Sequence, residues 1–501
     1  LAVLCTLTSL FSLPALAPLP GAAAEPPATV ARTVRISIDS LARSTGPSPL
    51  RFAGGALRAL TPATTPPLTA CAPIWFTMVA FAWHQGAGDD VSSTVWSDAG
   101  ARAEVLQDQD ADPDPGTPEW HPGLRTSPLY WTRGTRCVRF QLRLPAGAVI
   151  SDLRADFVNT SGTAEGPHVS SAASWTRQFL GATAADASTE QPEMVTRAAW
   201  GARPPRKHCL GYSPSIRMAY VHHTSGSNDY TAAQSDDIVR GIQYYHEHTR
   251  GYCDIAYSFL VDRFGTIYVG RYDSDNTSVN VDPGSQAGFN DGTFSVSAMG
   301  NYQTAVPSLA TVDAIQRVLA WRLDAAHLPP AGTDTMTSTG GSTTRYHRGQ
   351  TVKLPLISGH RQTGITDCPG DHLWTQLDAI RSAVYQLGRP KFFRPAQSDP
   401  QVTPFRDVDR FTAKGTDAMQ WQIDIADESG NVIQSLSGQG VVLSVNWDGT
   451  DRDGLPARPG TYTATIWGST ADGLTATPAT LPVAVNPIPV TPGPTPTPTP
   501  T

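Results

Sequence analysis

Two breaks in composition constrain this 501-residue chain more than any other feature. Residues 176–194 are largely Ala, Ser, Thr and acidic residues without periodicity, and residues 389–403 are rich in proline, so both read as linkers. They leave three stretches of different pattern, in keeping with about 150 residues per domain. Over 33–175, short alternating runs such as Ile74–Val79 and Cys137–Leu142 predict an N-terminal β-rich, sandwich-like domain closed by a strand at Asp152–Val158. Over 195–388, strands and helices alternate, which predicts an α/β domain with a central sheet. Over 404–486, alternation at Trp421, Ile423, Ile425, then Val441, Leu443, Val445, Trp447, and then Tyr462, Ala464, Ile466 predicts a small β-sandwich. Residues 487–501 end in an extended Thr-Pro tail.

Within the central stretch, the pattern predicts a strand around Ala219–His223, a helix from about Ala232 to His246, and a hairpin turning at Asp262–Gly265. It also predicts a helix from Ser308 with Val312, Ile315, Leu319 and Leu323 on one stripe, and a last helix carrying Leu373, Leu377, Ile380, Val384 and Leu387. Pro329–Gly349 reads as a long loop. The alternating Asp108, Asp110, Asp112 and Asp114 read as a solvated loop, because Pro113 and Pro115 interrupt the pattern of a calcium loop. Asp448–Gly454 lacks full ligand spacing as well and reads as a hairpin connection. Tryptophans of the N-terminal stretch are expected to pack in the sheet rather than to bind glycan.

An apolar run at Leu1–Leu13 and the small-residue site Ala22-Ala23-Ala24 read as a secretory signal peptide over 1–24, and no later run approaches a membrane span. The expected location is outside the cell. With a net charge of −7 and only 37 Lys and Arg spread along the chain, nucleic acid is a poor partner. Secretion gives the six cysteines meaning. Cys5 leaves with the signal; Cys71 and Cys137 share the first domain, and Cys209 and Cys253 the second. Cys368 is left over, and a lone thiol in an oxidising compartment needs a reason.

The chain has no Gly-x-Ser-x-Gly elbow, Walker loop or His-Glu-x-x-His pair. Instead, Val221-His222-His223-Thr224 ends a predicted strand, and Gly359-His360-Arg361 precedes Thr366-Asp367-Cys368-Pro369-Gly370. Alternation lets only one of His222 and His223 face a common site. Two imidazoles and a thiolate suit zinc and leave a fourth position open.

These segments carry a family resemblance, together with Arg197-Ala198-Ala199-Trp200-Gly201-Ala202, the run Cys253–Asp262, Gly265–Arg271 and Met299-Gly300-Asn301-Tyr302. From about Val195 to Leu387 the chain resembles the peptidoglycan recognition proteins, which share the type 2 amidase fold. On weaker motifs, Trp447-Asp448-Gly449-Thr450 with Pro459-Gly460-Thr461-Tyr462 resembles the FlgD-like immunoglobulin module.

The resemblance implies that His222, His360 and Cys368 hold Zn2+ and that Tyr257 and Thr366 assist at the reacting carbonyl. Without it, Tyr257 is an ordinary strand aromatic and Thr366 a turn hydroxyl. The implied reaction cuts the amide between N-acetylmuramic acid and L-alanine of the stem peptide in peptidoglycan, the implied partner. The alternative is a recognition protein that holds peptidoglycan without cutting it. Cys71–Cys137 and Cys209–Cys253 are expected as disulfides. Three positions depart from the related sequences: Gln286 stands in place of His, Val269 in place of Glu, and Gln362 in place of Asp.

Overall fold

Strands buried at every position need cover on both faces of their sheet, and the central domain is built that way. The computed structural model describes residues 29–37, 49–87, 91–97, 102–105, 112–160 and 189–489. The signal segment with Cys5, residues Asp108 and Asp110, the linker up to 188 and the tail from 490 lie outside the described residues.

The central sheet has five strands in the order Ile267–Val269, Phe259–Val261, Thr293–Ala298, Met218–His223, Ile357–Gly359. Only the first is antiparallel to its neighbour. One face packs Ala219, Val221, Val296 and Ile357 against the helices Leu309–Ala325 and Leu377–Gln386. On the other face, Leu260 and Tyr268 meet Val239 and Ile242 of the helix Ser235–Tyr244. The Ser308 side chain caps its helix by accepting from Thr311 N, and the stripe Val312, Ile315, Leu319, Leu323 is buried.

Three expectations for this domain change in detail. The helix expected to end at His246 continues as a π-helical turn to Thr249. The last helix is two, Asp371–Trp374 and Leu377–Gln386, because Gln376 N bonds back only three residues, to Leu373 O, and tightens the backbone there. The 329–349 loop contains one strand, Thr333–Thr337, which pairs antiparallel with Thr351–Pro355, so its remaining residues 338–349 form the connection of a hairpin.

The N-terminal strands form a continuous ten-stranded antiparallel sheet around the long strands Leu68–Ala87, Tyr130–Leu144 and Val149–Asn159. Register shifts at Cys71/Phe76 and Ser151/Arg154 bend these strands around one core that contains Phe76, Phe81, Phe140 and Phe157. Trp83 is fully buried in that core. Cys71 is opposite Cys137 in the ladder and bonded to it.

The C-terminal module is a six-stranded sheet with Trp421, Ile423, Ile425, Leu443, Trp447, Tyr462, Ala464 and Ile466 in its core. Val441 is exposed instead, beside the register shift between Lys414 and Met419. The 389–403 segment is not a free linker. Phe392–Gln397 pairs with Asp409–Asp427, Gln401–Val402 pairs with Ala479–Val485, and Phe392 and Phe393 are buried. Pro395 sits in the register shift of that outer strand, where a missing N–H costs no ladder bond.

Candidate metal centre

The neighbouring parallel strands Met218–His223 and Ile357–Gly359 pair Val221 with Gly359, so His222 and His360 leave the sheet together at its carboxyl end. Pleating decides between the two adjacent histidines. His222 follows Met218 and Tyr220 on the face away from the Leu309–Ala325 helix, whereas His223 follows Ala219 and Val221. His223 is committed elsewhere, with Nδ1 accepting from Tyr302 N at 3.1 Å and Nε2 2.9 Å from Ser225 Oγ.

His222, His360 and Cys368 present ligand atoms within 4.8 Å of one another, all from buried side chains. His222 Nδ1 lies 3.5 Å from Cys368 Sγ, and the two imidazole rings are 4.6 Å apart. Backbone His223 N points at the same sulfur at 3.3 Å, and Thr366 Oγ1 accepts from Cys368 N at 3.0 Å, fixing the loop that delivers it. Cys368 is in neither disulfide of the described residues, since Cys71 is bonded to Cys137 and Cys209 to Cys253.

The donor set fits a zinc ion. Buried His360 Nδ1 has no hydrogen-bond partner, a costly state for a ring nitrogen unless a cation takes its lone pair. Burial, helped by the Arg345 charge, lowers the His360 pKa to about 3, so the ring is in the neutral form that ligation requires.

Tyr257 joins this group, with its ring 5.6 Å from that of His222 and 5.5 Å from that of His246. His246 lies in His246-Glu247-His248, whose spacing does not put two imidazoles on one helical face. It is buried, its Nδ1 accepts from Ala256 N at 3.1 Å, and burial lowers its pKa. It therefore supports the turn that carries Tyr257. Of the three departures, Gln286 touches the centre, its Oε1 3.2 Å from His222 Nε2. Val269 is a core residue whose carbonyl accepts from the Trp200 indole, and Gln362 caps Gly359 N.

The acidic run is also placed differently from expectation. Asp112 and Asp114 do not sit in a solvated loop; Asp114 is buried against the central domain and accepts from Gly288 N and Asn290 Nδ2, both at 2.7 Å. Glu119 accepts from Cys253 N at 2.8 Å and forms a buried ion pair with Arg271. The pairing partners lie more than a hundred residues apart, so no local pattern announces them.

Residues 212–371 match the family model described as N-acetylmuramoyl-L-alanine amidase, and residues 402–472 match the FlgD Ig-like domain. Peptidoglycan-recognition protein SC1a of Drosophila melanogaster is 29% identical over 184 residues, 37% of this chain and 83% of that protein. Peptidoglycan recognition protein 1 of Bos taurus is 31% identical over 183 residues, 36% of this chain and 80% of that protein. Among solved structures, Drosophila PGRP-LB is 23% identical, with a TM-score of 0.29, over 37% of this chain and 93% of that one.

Proposed function

Because the chain belongs to the peptidoglycan recognition protein family, we propose that its central domain is a zinc-dependent N-acetylmuramoyl-L-alanine amidase acting on peptidoglycan outside the cell. The observation that carries this is the convergence of His222, His360 and the Cys368 sulfur in one buried cluster. A pure binding groove has no need of that thiol. Bound there, zinc supplies a Lewis acid for the scissile carbonyl and a water-derived nucleophile at neutral pH.

The remaining work falls to the chain itself. His222 and His360 offer ring nitrogens, that of His360 in its neutral form, and Cys368 offers a thiolate, whose negative charge the His223 backbone N–H helps to hold. Tyr257, wedged between the rings of His222 and His246, is assigned to donate its hydroxyl proton in a hydrogen bond to the carbonyl oxygen as charge develops there. Thr366 holds the Cys368 loop and is assigned to orient the substrate amide. Disulfides Cys71–Cys137 and Cys209–Cys253 accord with an oxidising compartment, and no described helix is long and apolar enough to cross a membrane.

Elemental analysis beside an assay for stem peptides released from purified wall tests the assignment. Wild type is expected to carry zinc and release peptide. Cys368→Ala is expected to lose the metal and to lower release by more than the roughly 10–100-fold that loss of an outer hydrogen-bond partner costs. Zinc-loaded wild type that binds wall yet releases no peptide would make the protein a recognition module instead.

A further inference from the structure

The N-terminal module reaches the metal cluster through a chain of buried amides. Asp114 Oδ1 accepts from Asn290 Nδ2 at 2.7 Å, and the Asp112 carbonyl accepts from the same nitrogen at 3.2 Å. With its NH2 side thus engaged, Asn290 turns its Oδ1 to the backbone N–H groups of Ser285 and Gln286, each at 3.0 Å. Those two bonds fix where Gln286 starts.

Thr293 fixes which way the Gln286 side chain faces. A hydroxyl has one hydrogen, and Thr293 Oγ1 spends it on the backbone carbonyls of Asn290 at 2.8 Å and Phe289 at 3.2 Å. It can therefore only accept from Gln286, and Gln286 Nε2 donates to it at 2.6 Å. The Oε1 of Gln286 is left to accept, from Ser285 Oγ at 2.6 Å and from His222 Nε2 at 3.2 Å. Only a protonated Nε2 satisfies that contact, which leaves the Nδ1 lone pair of His222 toward Cys368 Sγ.

We infer that Asp114 is a positioning residue of the metal centre: through Asn290 and Gln286 it sets the tautomer of His222, so the N-terminal module completes the site. Every side chain of the relay is buried, which keeps water from substituting for a lost member. The inference rests on the assignment of His222 as a ligand, but the tautomer is readable without metal.

The experiment uses full-length, zinc-free protein with 15N-labelled histidine and two-bond 1H–15N correlation spectra, followed by zinc titration against a chelator. Wild-type His222 is expected to give the pure Nε2–H signature. Asp114→Ala and Gln286→Leu are expected to mix the tautomers and weaken zinc about 10–100-fold. Asp114→Asn keeps an acceptor oxygen and is expected to retain both properties. Arg133→Ala removes a different contact to the central domain, the ion pair with Asp229, and is expected to change neither. An Nδ1–H signature in wild type, or an unaltered Nε2–H signature in Asp114→Ala, overturns the relay. Should Asp114→Ala not fold, the Gln286→Leu spectrum decides in its place. Wild type that binds no zinc but shows the expected tautomers supports the relay and defeats the metal assignment instead.

Discussion

A methyl group added at Gly364 would meet His360 Nε2 at 2.6 Å, closer than real Cβ contacts come. Gly364→Ala is therefore expected to push the His360 ring out of line and weaken zinc by about 10–100-fold. Chelator competition measures the loss, and an unchanged far-UV spectrum would show that the fold survives; undiminished affinity would mean the ring has another place to go. At this scale the sequence was partly legible. Residue chemistry at the ends of two strands, with one thiol left after pairing the others, points to a His, His and Cys set that includes Cys368 and leaves His222 and His223 as alternatives. The resemblance chose His222 and also supplied Tyr257 and Thr366; the pleat gives the physical reason that His222 rather than His223 joins His360 and Cys368. Asp114, Asn290 and His246 stayed hidden, because the bond from Asn290 to Asp114 spans 176 residues and nothing local to either residue calls for it.

Alternation revealed the core faces of strands but not every strand. Trp421, Ile423 and Ile425 were readable because Gln420, Gln422 and Asp424 alternate with them and point the other way. The outer strand Phe392–Gln397 was not, since Phe392 and Phe393 are both buried in succession and Pro395 breaks the pattern. Close approach between strands has its own requirement. Across the ladder from Trp421 lies Gly438, where an added Cβ would fall 2.2 Å from the indole. Gly438→Ala is expected to displace that ring and destabilise the C-terminal module by about 1–3 kcal/mol. A denaturant titration followed by tryptophan fluorescence checks it, and an unmoved midpoint would show that the sheet yields at no cost.

On the scale of the whole molecule, the segment 112–121 joins two domains with buried charge. Glu119 neutralises fully buried Arg271, whose guanidinium also donates to Ile255 O, two residues before Tyr257. Glu119→Leu is expected to destabilise the protein by about 3–5 kcal/mol, and adding Arg271→Met to recover most of the loss, in denaturant midpoints. Asp114 gives the same junction a pH dependence. Burial raises its pKa from 3.8 to about 6 against the hydrogen bonds from Asn290 and Gly288. A carboxyl with a raised folded pKa contributes stability below about pH 4 and loses it as pH rises through about 6. Stability of wild type relative to Asp114→Asn is thus expected to fall by about 3 kcal/mol between pH 4 and pH 7, and a flat difference would place the Asp114 pKa near its ordinary value. Modules that hang on flexible tethers can be exchanged between genes one at a time. This N-terminal module cannot be traded so freely: a lineage that replaced it would leave Arg271 without its counter-charge and Asn290 without its anchor, so the first two domains must be inherited as a pair.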